Sequence, residues 1–116
     1  MTINEDALAV TRQVQADVAP GVSGWVASNL PQDEGKQMRA FIHEAQTTLG
    51  MEPNTPYGRE VRNLVYHRII FEIDPSVTPE TEWPIEQGAA PGTMLNALNA
   101  TETYFEGEVA DEGEAI

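Results

Sequence analysis

Apolar side chains recur at helical spacing in four stretches of this chain. Ala7, Val10, Val14 and Val18 follow one another at intervals of three or four, which predicts a helix over 4–19 with Asn4 as its N-cap. Met38, Phe41, Ile42, Ala45 and Leu49 make a second stripe, over 31–49, opened by Pro31 and closed by Gly50 as the residue beyond the C-cap. Thr55-Pro56 pairs an N-cap with a proline at the first helical position. From there Val61, Leu64, Val65, Tyr66, Ile69, Ile70, Phe71 and Ile73 cover more than half the circumference, so a helix over 56–73 should be central. Leu64, Val65 and Ile69 are expected among the most buried residues, beside Phe41, Ile42 and Leu49. A last helix is expected over 93–105, with Met94, Leu95, Leu98, Thr101 and Phe105 inward.

Between these stretches the pattern changes. Residues 22–30 share a helical face through Val22, Trp25 and Val26 but contain Gly24, and a turn or two of helix is expected there. Residues 74–92 hold Pro75, Pro79, Pro84 and Pro91, which predicts an extended arm rather than a core element. Residues 106–116 are acidic and poor in apolar side chains, which predicts a free tail. The expected fold is mainly α: a small bundle of about four helices in one domain over 1–105, with a proline-rich arm and an acidic C-terminal tail. No internal repeat or heptad is present.

Charge narrows the partners. Nineteen Asp and Glu oppose six Lys and Arg, a formal net charge of -13, and Lys36 is the one lysine. Sequence-specific nucleic-acid binding and anionic membranes are disfavoured, because both rely on clustered bases. Two readings of the acidity stay open: adaptation to high salt, which screens carboxylate repulsion, or an acidic protein with a basic partner. The chain has no cysteine, no apolar run of membrane-spanning length and no basic-then-apolar leader, so a chain made and used inside a cell, or assembled there into something larger, is expected.

Catalytic chemistry finds no constellation. His43 and His67 are the two histidines and lack the ligand spacing of a zinc site. Ser23, Ser28 and Ser76 have no nucleophile-elbow context. The sequence around Gly21 and Gly24 lacks a phosphate-loop ending, and Asp111 to Glu114 lacks calcium-loop spacing. Asn99-Ala100-Thr101 matches a glycosylation sequon inside an expected helix. The expectation is a non-enzymatic chain without cofactor or metal. Two features suit an interface instead. Arg59, Arg62 and Arg68 concentrate base on one helix, either paired with acids of the same chain or facing a negatively charged neighbour. Trp83, with Pro84 and Ile85, stands on the arm, either folded back on its own core or anchoring another molecule.

The layout resembles the head–tail adaptor, or head-completion, proteins of tailed viruses. The resemblance spans about residues 31–74. It rests on the amphipathic helix with Phe41, Ile42, Glu44 and Ala45, the capped turn, and the apolar helix with Leu64-Val65-Tyr66-His67-Arg68. It implies a helical connector subunit without catalysis. Such a subunit would form a ring with copies of itself and contact portal and tail components in a virion assembled in the host cytoplasm. With the scarcity of lysine it implies a halophilic host. The arm is longer than in the commonest form of those proteins. The alternative is a small acidic inhibitor or regulator that mimics nucleic acid and blocks a basic partner; the even spread of acids along the sequence speaks against it. A third possibility, a small enzyme using His67 or a carboxylate, lacks convergent groups.

Overall fold

A computed structural model describes residues 2–18, 34–73 and 91–114. It contains four helices: α1 (Ile3–Val18), α2 (Glu34–Thr48), α3 (Pro56–Ile73) and α4 (Pro91–Glu114). No strand occurs among the described residues, and the four helices form a small bundle.

Each start and stop has a local cause. The α1 terminus is closed by Thr2 rather than Asn4. Glu5 N–H donates to Thr2 Oγ1 at 3.2 Å, and Thr2 N–H donates back to Glu5 Oε1 at 3.1 Å. This reciprocal pair is a capping box, whose T-x-x-E spacing the expectation of Asn4 passed over. Helix α2 ends as expected at Gly50, whose φ is 76°. Met51 N–H reaches the Gln46 carbonyl at 2.8 Å and Gly50 N–H the Thr47 carbonyl at 3.0 Å, the two bonds of a Schellman turn. Thr55 caps α3 through Gly58 N–H at 3.0 Å. Gly58 is required there, since a Cβ would stand 2.2 Å from the Glu52 carbonyl oxygen.

Helix α1 meets all three other helices, as does α3, whereas α2 and α4 lie at opposite corners. The bundle is therefore a rhombus with α1 and α3 on its short diagonal. Helix α3 is central, as its broad apolar surface predicts, but it shares that place with α1. The core holds Ala7, Val10 and Val14 from α1, Met38, Ile42 and Ala45 from α2, Val61, Val65, Tyr66, Ile69 and Ile70 from α3, and Ala97, Leu98 and Phe105 from α4.

Other expectations are corrected as well. Leu49 is 43% exposed, because it sits at the turn into Gly50; Gln46 takes the inward position instead. Phe41 and Leu64 are half-buried and pack at the core's edge. The last helix runs from Pro91 to Glu114, not 93 to 105. Pro91 and Gly92 thus belong to a helix and not to the arm, and the acidic residues 106–114 are helical. The cause is Val109, four residues after Phe105, which packs on the core, and Glu112, which bonds to α1. The expected turns at 22–30, the opening of α2 at 31–33 and the arm residues 74–90 lie outside the described residues.

Candidate functional site

Two pairs of helices are joined by different chemistry. Along α1 and α4 runs a polar seam. Thr2 Oγ1 and Asn4 Nδ2 each donate to Glu112 at 2.7 Å. Arg12 reaches Glu102 at 2.9 Å and Glu106 at 3.2 Å, and Gln15 donates to Asn99 at 2.9 Å. Rising numbers on α1 meet falling numbers on α4, so the two helices are antiparallel. The Arg12 hydrogen bond holds the Glu102 carboxyl below its ordinary value, against opposing desolvation and with help from Gln15. Hydrogen bonds from Thr2 and then Asn4 lower Glu112 likewise. Tyr57 O–H donates to Asp6 and ties the start of α3 to the start of α1. That hydrogen bond, aided by desolvation and nearby carboxylates, pushes the Tyr57 phenol up to about 12.

The sequence signal for this seam was available only in part. The T-x-x-E box marks Thr2 and Glu5, but nothing local pairs Arg12 with residues ninety positions away.

The three arginines of α3 separate. Arg68 pairs with Glu72 at 2.6 Å and its guanidinium lies over Tyr104 of α4 at 3.8 Å and over Phe71 at 4.5 Å. It is engaged within the chain. Arg59 is exposed and Arg62 half-exposed, and neither forms an ion pair among the described residues. They stand one turn apart. Arg68 follows Arg59 by nine residues, which is half a turn round the helix at 100° per residue. The side of α3 that meets α4 is therefore the side opposite Arg59.

Charge divides between the helix pairs. Helices α1 and α4 contain nine Asp and Glu and one Arg. Helices α2 and α3 contain four Glu and five Lys and Arg. Among the helices of the described residues, the acids are thus unevenly divided.

The histidines do not converge. His67 tilts against Tyr66, with ring centroids 5.8 Å apart. His43 lines an open groove of about 370 Å³ with Thr47, Gly50, Met51, Glu52, Pro53 and Asn54. Among the described residues, no group of three His, Cys, Asp or Glu could hold a metal ion, and no helix is long and apolar enough to cross a membrane. Trp83, Pro84 and Ile85, expected at an interface, lie outside the described residues. Comparison with protein-family models, curated proteins and solved structures found no match to this chain.

Proposed function

We propose that this protein is a structural subunit that assembles by protein–protein contact, as a ring-forming connector between the head and tail of a virus. One observation carries the reading: in a chain with 19 acids, Arg59, exposed, and Arg62, half-exposed, form no ion pair on α3 among the described residues. A base among so many carboxylates is drawn toward any acid within reach. Two that stay unmatched among the described residues suit a neighbour that supplies the acid. Acidity itself suits a connector, since phosphate must pass without sticking. The proposal extends to portal and tail proteins as partners, to Trp83 and Ile85 as apolar anchors, and to a virion of a halophilic host, where salt would screen repulsion between copies.

A second reading, an acidic mimic of nucleic acid, is favoured by the helical placement of Glu106, Glu108, Asp111 and Glu112 on α4. Native mass spectrometry with light scattering separates the two. A closed oligomer of fixed copy number supports the connector. A monomer at all concentrations that binds a basic nucleic-acid-binding protein supports the mimic and sinks the connector.

A further inference from the structure

We propose that copies of this chain join head to tail, with Arg59 and Arg62 of α3 seated against Glu108 and Asp111 of α4 in the next copy. This rests on the assembly reading above and names its contact.

Five of the six acids of α4 fall into two groups. Glu102, Glu106 and Glu112 are held by α1. Glu108 is half-exposed, Asp111 is exposed, and neither has an ion pair among the described residues. They stand three residues apart, the same one-turn spacing as Arg59 and Arg62. Two opposite-charge pairs with matching spacing can meet helix to helix.

They do not meet within one copy. Glu108 and Asp111 share the side of α4 that presents Tyr104, being four and seven residues beyond it. Tyr104 takes Arg68 of α3, and Arg59 stands half a turn away from Arg68. The basic pair is thus turned from the acidic pair, and a second copy can satisfy both.

Height along the bundle decides the product. Tyr57 bonds to Asp6, and Thr2 and Asn4 bond to Glu112. The start of α3 and the end of α4 are therefore at the same end of the bundle. Arg59 and Arg62 lie two and five residues past Tyr57, roughly 3–8 Å along α3. A contact between patches at nearly equal height adds little rise from copy to copy. A heterologous contact with rotation and little rise closes into a ring, whereas one with substantial rise grows a filament. Leu49 and Tyr57, 43% and 42% exposed, stand at the same end and supply apolar area beside the charges.

The test is a charge swap read by light scattering and native mass spectrometry on the full chain. Arg59→Glu/Arg62→Glu places acid on both faces, and Glu108→Arg/Asp111→Arg places base on both. Each variant alone should keep the helical circular dichroism of the wild type and lose association by roughly tenfold or more. Mixed, the two should assemble again with the copies alternating, a rescue that general damage to the fold would not permit. If the wild type assembles and both variants assemble equally well, this contact is wrong while the assembly reading stands. If both variants lose assembly and the mixture does not regain it, the pairing is also wrong. If the wild type remains a monomer, both proposals fall.

Discussion

The α1–α4 pair and the α2–α3 pair solve the same packing problem by opposite means. Helices α2 and α3 are neighbours in sequence, joined through residues 49–55, and their joint is built from local backbone geometry. The Schellman turn at Gly50, the Thr55 cap and the close approach at Gly58 set the angle of entry. Gln46, fully buried, then donates to the Gly58 carbonyl at 2.7 Å. Helices α1 and α4 come from opposite ends of the described chain. No turn guides them, and side chains must find each other across about a hundred positions. They do so through an apolar row and a flanking polar seam. Local joints suit a pair that forms early and firmly. A long-range seam depends on the whole bundle being present.

The largest break in that comparison should come from the α4 row. Phe105 is fully buried, so Phe105→Ala should cost about 3–5 kcal/mol in chemical denaturation. Because one core serves all four helices, the loss should appear as a single shifted transition by far-ultraviolet circular dichroism. A loss under about 1 kcal/mol would place Phe105 outside the common core. The local joint should be next. In Gly58→Ala the new methyl would stand 2.2 Å from the Glu52 carbonyl oxygen and 2.9 Å from Pro53 Cα. Both are backbone atoms, so the turn itself must shift, at about 1–3 kcal/mol. Gly107→Ala is the control, since its Cβ meets nothing within 4 Å. In that exposed helical position alanine should be neutral or add up to about 1 kcal/mol of stability. Equal effects at the two glycines would show that the joint is not tight.

Thr2→Ala probes the seam's far end. It removes the hydroxyl that caps α1 and also donates to Glu112. A loss of about 0.5–2 kcal/mol is expected from the cap alone. Hydrogen exchange should sharpen the contrast. Amides in the last turns of α4 should lose protection first, while those of α2 near Gln46 should not change.

How legible each pair was follows from the same difference. Gly50, Thr55 and Pro56 announce the α2–α3 joint within a few residues, so the start of helix 56–73 was readable. Buried Gln46 was not, because a polar residue in the stripe looks like its edge until Gly58 supplies an acceptor. On the other side, Ala7, Val10, Val14, Leu98 and Phe105 declared their inward faces through spacing. The reach of α4 to Glu114 was hidden. Six acids after residue 101 read as solvent, and it takes Arg12, Gln15 and Asn4 on α1, with its cap Thr2, to explain why several of them are held. The candidate site was half legible. Three arginines on one helix were visible, but that Arg68 is the one engaged among the described residues depends on Tyr104 and Glu72 being in place.

The smallest expected effect is the most discriminating, because its sign in salt is opposite to that of the whole protein. Arg12 is half-exposed, and its bonds to Glu102 and Glu106 are surface pairs. Arg12→Ala should therefore lower stability at neutral pH by no more than about 1 kcal/mol. Acid should erase the difference. Glu102 has a lowered folded pKa, so its contribution is complete above the ordinary carboxylate value and is lost as pH falls through the lowered one. Wild type and variant should thus converge as the medium becomes strongly acidic. Salt should also narrow the gap, by screening an attraction. The same salt should raise the melting temperature of both proteins, by screening repulsion among 19 acids, six of them on α4. Thermal melts of both chains from dilute to molar NaCl check both trends. If wild-type melting stays flat or falls, acid repulsion is not limiting stability and the high-salt reading of the composition fails. If the gap widens with salt, Arg12 acts through the packing of its methylene stem on α4, and the seam is apolar at that point rather than ionic.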